Sequence, residues 1–428
     1  MNRAALLAAI AFLAYLPSLA GPFHFDDYNV IVHYPTVHSW GTLFERAGGG
    51  VRALLKASYA LNWTLDPHPF GFHLVNIALH ALNTVLLFLI GRNLIPYDVR
   101  NYSVSPAFLA ALLFALHPMQ TEAVTYISGR SSSLMAAFYL SSLLLYLRGA
   151  HWALSCLLFV LAVATRETAV TLPAALLLIE LCRGTGWRTI VQRQAAHWLL
   201  LAAGAAVMLF NQRYFDLLAY GFGERSLGDN LLTQIGGISY LVWHLVGLHG
   251  LNIDPALPTI TEWTPALALQ LVLLCSLLAL GIFNIRRRPW LAFGILWFFL
   301  QLAPTNSLVP RLDVANDRQL YLACWGLFFA LATQLDLPQR FARAAAAALC
   351  ILFAGASVSR QLDYLDEVTL WEASVRSSPW NARAHNNLGY AYYQAGRKPE
   401  ARREFETALF FDRQEKKAKA NLVLLDWN

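Results

Sequence analysis

The chain has 428 residues, of which 57% are hydrophobic, 13% aromatic and only 14% charged, and its mean hydropathy is +0.45. Soluble domains carry about 25% charged residues, so these values exclude an ordinary soluble protein and predict an all-α, polytopic membrane protein. The net charge of +6 gives no reason to expect nucleic-acid binding, because much of the basic excess lies in short loops, where it marks the cytoplasmic side.

The first apolar stretch, Ala4 to Ala20, follows a basic start at Arg3 and ends in Ser18-Leu19-Ala20, a pattern shared with secretion signals. It reads as a retained span, since cleavage would detach the next motif from its anchor. That motif is Phe25-Asp26-Asp27-Tyr28, which opens a polar segment reaching about Phe70. Adjacent carboxylates at a membrane boundary are functional candidates. Neighbouring residues project differently, which predicts separate tasks: one acid takes a proton from an acceptor, the other orients it or meets a cation. A solvated loop with acids capping a short helix is the plain alternative.

Further apolar runs of spanning length lie near 71–91, 104–117, 132–148, 151–165, 168–182 and 196–213. Arg92, Arg100, Arg148, Arg183, Arg188 and Arg193 label alternate loops as cytoplasmic. Asp26, the 118–131 loop and Arg166-Glu167 then fall on the outer side. Were the run from Leu231 to Leu251 to span, Arg286-Arg287-Arg288 would lie outside; with Gly236, Gly237, His244 and His249 it reads as an interfacial or re-entrant helix. Runs at 266–285, 290–303, 319–335 and 341–358 complete about eleven spans. The five cysteines lie in or beside apolar runs without metal-ligand spacing and read as small core residues.

Past Ser359 the pattern becomes that of a soluble helical region, 359–428. Leu388, Gly389, Tyr392, Gly396, Ala401, Phe405 and Ala408 match the helix-turn-helix spacing of a tetratricopeptide repeat. One repeat cannot bury its own face, so it packs on the membrane domain, on an acceptor or on a partner protein.

On the outer side the polar residues recur in groups. His117-Pro118-Met119-Gln120-Thr121-Glu122 leads to Gly129-Arg130; Arg166-Glu167 interrupts an apolar region; Arg311, Asp313, Asp317, Arg318 and Tyr321 surround the start of a late span. Guanidinium groups there suit a lipid phosphate, with pairing of Arg166 to Glu167 or another helix, or of Arg318 to Asp313 or Asp317, as the structural alternative. His73, Asn76 and His80 share a helical face, the histidines reading as hydrogen-bonding residues. Phosphate-loop and zinc motifs are absent, so an activated sugar would arrive on a lipid.

These residues resemble a known family. Phe25-Asp26-Asp27, Ser58-Tyr59-Ala60-Leu61-Asn62, Phe72-His73-Leu74-Val75-Asn76, Leu79-His80-Ala81-Leu82-Asn83, His117-Pro118, Thr121-Glu122-Ala123-Val124, Gly129-Arg130, Arg166-Glu167 and Asp317-Arg318-Gln319-Leu320-Tyr321-Leu322 are similar to segments of the transmembrane and tetratricopeptide-repeat O-mannosyltransferases and their prokaryotic relatives. The resemblance runs in order along nearly the whole chain. It departs at Arg52-Ala53-Leu54, where arginine-proline-leucine is usual, and in the shortness of the repeat region.

The resemblance implies a GT-C glycosyltransferase fold over residues 1–358, with 22–70 as its first extracytoplasmic loop. The implied donor is a polyprenyl-phosphate sugar, and the implied acceptor a Ser or Thr hydroxyl of an extracytoplasmic protein. A prokaryotic member would lie in the cytoplasmic membrane with its site and repeat on the periplasmic side. Asp26, or Asp27 as the close alternative, is then the base, and Arg130, Arg166 and Arg318 hold the donor phosphate. Glu122, Glu167, His73 and Tyr321 are supporting polar residues, and Mn²⁺ or Mg²⁺ at Asp26 and Asp27 is an option that no flanking acids demand. A transferase acting on lipid or glycan, and a membrane scaffold or transporter, remain alternatives.

Overall fold

The computed structural model describes residues 2–47, 52–95, 105–210, 212–248, 250–311, 313–335 and 339–427, and among them it contains helices and no strand. Helix α1 (Arg3–Ala14) continues into a 3₁₀ turn, Leu16–Ala20. The first loop has a core of its own: α2 (Trp40–Ala47) and α3 (Ala53–Leu65) close over Ile31, Val37, Leu43, Leu55 and Tyr59, joined by Phe72 and Ile127. The long helix α4 (Pro69–Leu94) starts on a proline, which suits the first helical turn, and buries His73, Asn76, His80 and Asn83 on one stripe.

Helix α5 (Pro106–Leu116) breaks at Pro118 and resumes in α6 (Thr121–Val124) after a bend of 55°. Next come α7 (Arg130–Arg148), α8 (Trp152–Thr165), α9 (Leu172–Arg183), α10 (Trp187–Phe210), α11 (Gln212–Glu224), α12 (Leu227–Gly247), α13 (Pro265–Asn284), α14 (Pro289–Leu302), α15 (Leu320–Gln334) and α16 (Gln339–Leu362). Helix α4 packs against α1, α5 and α7, while α15 packs against α14 and α5, giving one large apolar core. Cys156, Cys182 and Cys324 are buried as core residues, whereas Cys275 is exposed on α13.

The expectation of about eleven spans needs correction. Among the described residues, four helical segments are long and apolar enough to cross a membrane: α4, α10, α13 and Arg343–Leu365; counting the bent α5–α6 pair makes five. Helices α1, α8 and α14 are apolar but shorter. The reason is length: α1, α5, α8, α9, α14 and α15 have between 11 and 15 residues, short of the roughly 20 that a bilayer needs. Helix α12, over the run read as interfacial or re-entrant, is not among the spans. Arg100 and His249 lie outside the described residues.

Four further helices follow, α17 (Glu367–Ser377), α18 (Ala382–Gln394), α19 (Lys398–Phe411) and α20 (Lys416–Trp427). A Cβ on Gly389 of α18 would sit 2.7 Å from the Phe405 ring of α19, so glycine permits this close helical pair. The pair shares its core with Leu370 and Trp371 of α17, and also with Tyr126 and Ile253 of the preceding helical bundle. The C-terminal region is therefore docked on the bundle, which gives its apolar face the cover that one repeat lacks alone.

Candidate active site

The polar turns converge around the first loop. Asp27 is completely buried. Its Oδ2 accepts from the His24 N–H at 3.0 Å, and its Oδ1 accepts from the Ser128 N–H at 2.8 Å and from the Ser128 hydroxyl. Burial pushes the Asp27 carboxyl up to about 6 despite these donors. Asp27 thus ties the first loop to the turn after α6. That turn needs Gly129: a Cβ there would fall 2.2 Å from the Glu122 carbonyl oxygen.

Asp26 has a different setting. Phe25 lies in the left-handed region at φ +47°, an unusual conformation for an aromatic residue. The Asp26 N–H donates to the Tyr126 hydroxyl at 3.0 Å, and the residue lines a cavity of about 320 Å³. Arg52, Lys56, Arg166, Arg311 and Arg318 share its walls with Tyr34, Tyr59, Ser128 and Ser131, and Asp26 is the sole carboxylate lining it among the described residues. The volume lies at the lower end of small-molecule sites.

Each cation is held in its own way. Arg52 forks onto Glu167, Nε to Oε2 at 3.1 Å and Nη2 to Oε1 at 2.6 Å. Burial alone would raise the Glu167 carboxyl, but the Arg52 charge overrides it and holds the group down to about 2. Arg166 is buried and donates from Nη1 to the Ser132 hydroxyl, while its buried Nε has no hydrogen-bond partner in the protein. Arg318 donates its backbone N–H to Glu122 Oε2 at 2.9 Å, and its Nη1 stands 3.6 Å from Oε1. Lys56 donates to the Tyr34 hydroxyl at 3.3 Å.

The pairings foreseen for the arginines are thus replaced by longer-range ones. Glu167 meets Arg52 rather than Arg166; Asp313 meets Arg383, and Asp317 meets His244. Arg166 and Arg318 come together with Asp26, but Arg130 does not line the cavity. It is wholly buried, donating to Asn76 Oδ1 (2.8 Å), Asn62 Oδ1 (2.6 Å) and the carbonyls of Phe72 (2.9 Å) and Ser58 (3.2 Å) between the Tyr59 and Phe72 rings. His73 bonds the Gly21 carbonyl at 3.0 Å. Tyr321 meets His80 and Asn83, both at 3.0 Å, and borders a small recess that also reaches Arg166 and Arg318.

Arg52 and Lys56 were missed as site residues by the sequence reading, and Arg311 was noted only as a neighbour. No local pattern signalled them: Arg52 precedes α3 with a left-handed backbone at φ +59°, so helical spacing does not relate it to Lys56. Mg²⁺ usually binds through one or two free carboxylates together with waters and substrate phosphate. Both oxygens of Asp27 are already engaged, and Asp26 stands alone among cations. No group of three metal-binding side chains occurs among the described residues, and this donor set does not fit Mn²⁺ or Mg²⁺.

A tetratricopeptide-repeat model matches residues 382–414. The chain is 26% identical to protein O-mannosyl-transferase F38B6.6 of Caenorhabditis elegans, over 95% of this chain and 62% of the relative. It is 25% identical to protein O-mannosyl-transferase TMTC4 of Homo sapiens, over 90% of this chain and 63% of the relative. It is 35% identical to protein O-mannosyl-transferase Tmtc1 of Drosophila melanogaster, over 41% of this chain and 22% of the relative. The chain thus spans less than two thirds of the length of these relatives, and no solved structure matches it. The resemblance carried by its motifs extends over most of the chain.

Proposed function

We propose, from this similarity to the protein O-mannosyl-transferases, that the chain is a GT-C type glycosyltransferase. It moves a sugar, with mannose the first candidate, from a polyprenyl-phosphate carrier to Ser or Thr hydroxyls of extracytoplasmic proteins. Residues 1–358 form the transferase domain, and 359–428 the repeat region that meets the acceptor or a partner protein. The protein lies in the cytoplasmic membrane with cavity and repeat on the periplasmic side.

The observation that carries this reading is the lone carboxylate of Asp26 on a cavity walled by five cations. The acceptor hydroxyl gives its proton to Asp26 while its oxygen forms a bond to the anomeric carbon. The bond from that carbon to the phosphate oxygen breaks, its electron pair stays on the phosphate, and the anomeric centre inverts. A phosphodiester carries one negative charge and the released monoester close to two. The five cations face Asp26, Glu122 and Glu167, a net of about two positive charges before transfer and about three once Asp26 holds the proton and the dianion has formed. Such a site favours charge developing at the leaving group over the bound substrate. Arg166 and Arg318 are the main phosphate contacts, with Arg311, Lys56 and Arg52 beside them. Arg130 serves by bracing Tyr59 and α4, and Asp27 by holding the loop.

The test is transfer from polyprenyl-phosphate mannose to a Ser/Thr peptide by the purified, reconstituted protein, read by mass spectrometry, with the product anomer read by NMR. Inverted mannosyl peptide is the expected result. Transfer only to lipid or glycan would move the acceptor class, and no transfer from any polyprenyl-phosphate sugar would overturn the reading.

A further inference from the structure

Arg383, on α18 of the repeat region, reaches three parts of the membrane domain at once. Its Nε donates to Asp254 Oδ2 at 2.7 Å, and its Nη2 donates to Asp254 Oδ1 and to Asp313 Oδ1, the latter at 3.0 Å. The guanidinium also stands 5.9 Å from the centre of the Phe25 ring, whose other contact is the Trp371 ring of α17, 5.3 Å away and edge-on. Phe25 is the left-handed residue directly before Asp26, and Asp313 is two residues beyond Arg311. One side chain of the repeat therefore holds Phe25, next to the acidic wall, and Asp313, close in sequence to the basic wall, of the same cavity.

His24 reinforces the grip one residue earlier. Its Nε2 bonds the Tyr364 carbonyl at 2.7 Å, its Nδ1 meets Glu367 at 3.1 Å, and its backbone N–H donates to Asp27. A left-handed aromatic residue is strained and persists only where its surroundings over-determine it. Here those surroundings include α17 and α18.

We infer that Arg383 is a positioning residue, through which the C-terminal repeat sets the separation of Asp26 from Arg311 and so governs transfer without touching substrate. The inference rests on the cavity being the transfer site. A repeat that only bound acceptor would alter acceptor affinity; one that clamps the cavity alters turnover and cavity geometry.

The experiment uses the full chain with spin labels at Tyr28→Cys and Leu308→Cys, the exposed Cys275 being replaced by serine. The inter-label distance distribution should be narrow with Arg383 present and broaden in Arg383→Gln. Turnover should fall at least about tenfold, since misplacement by an ångström is that costly or more, and the acceptor KM should change little. Arg383→Lys keeps a charge against buried Asp254 but loses the fork, and should recover only part of the rate. If Arg383→Gln fails to fold, Asp313→Asn carries the same test, because Asp254 stays paired. An unchanged distance distribution, or unchanged turnover with a raised acceptor KM, overturns the inference. Absence of transfer by the unsubstituted protein with a narrow distribution would instead strike at the transferase reading.

Discussion

Ser128 closes over Asp27 with two hydrogen bonds to one carboxylate oxygen, from its backbone N–H at 2.8 Å and from its hydroxyl. This contact divides the labour of the acidic pair. Asp26→Asn should retain the fold and polyprenyl-phosphate binding but lose about 10²–10⁴-fold in turnover, the usual value of general-base assistance. Asp27→Asn should act chiefly on stability, read by thermal unfolding in detergent. A fully active Asp26→Asn protein would exclude that residue as the base.

The raised Asp27 carboxyl also sets a pH dependence. With a folded value of about 6 above an ordinary 3.8, the folded state holds this proton where the unfolded state has released it. The stability from this group is complete below pH 4 and declines as pH rises toward 6. The loss is on the order of 3 kcal/mol at about 1.4 kcal/mol per unit. Unfolding midpoints of the native protein and Asp27→Asn should therefore diverge across pH 4 to 6. Parallel curves through that window would remove Asp27 as their source.

How far the sequence could be read depended on the range of the interactions. The adjacent acids, the polar turns and the repeat were legible because each is a local pattern: two neighbours, a break in an apolar run, a helical spacing. The pairing of Arg52 with Glu167 was not, because it spans 115 residues and the nearer Arg166 was an equally good partner on paper. Arg130 looked like Arg166 for the same reason. Both are arginines beside a span, and only packing shows that one donates inward to Asn62 and Asn76 while the other borders the cavity. The span number was overestimated because hydropathy marks apolar runs whose helices, such as α8 with 14 residues and α9 with 12, are shorter than the roughly 20 residues a bilayer needs.

The Arg52–Glu167 pair predicts a signature in donor affinity. Both side chains are about one third exposed, so breaking the pair should cost under about 1 kcal/mol of stability. Arg52→Ala, however, removes a cation and leaves Glu167 bare beside a phosphate site. The donor KM should rise about tenfold, equivalent to 1.4 kcal/mol. Glu167→Gln should leave KM unchanged or lower it, and the exchange Arg52→Glu with Glu167→Arg should recover part of the loss. Steady-state kinetics over a donor series decides this, and an unaltered KM in Arg52→Ala would take Arg52 out of the donor site.

Arg130 and Arg166 offer the sharpest contrast, since both are buried arginines beside the same turn. Replacing Arg130 with alanine leaves the side-chain oxygens of Asn62 and Asn76 and the Phe72 carbonyl without their donor. Hydrogen bonds to a charged group are worth about 1.5–3 kcal/mol each, so the variant should lose at least about 3 kcal/mol of stability. Any loss of activity should follow the loss of folded protein. Arg166 makes far fewer internal bonds, to serine hydroxyls alone, and keeps a buried Nε without a protein partner. Arg166→Gln should therefore fold nearly as well as the native chain yet lose about 10²-fold or more in turnover, as when one preorganised donor is removed from a developing charge. Added polyprenyl phosphate should raise the unfolding temperature of the native protein and leave that of Arg166→Gln unchanged. The opposite outcome, a stable but inactive Arg130→Ala beside an active Arg166→Gln, would exchange the two roles and move the phosphate site to the α4 side of the turn.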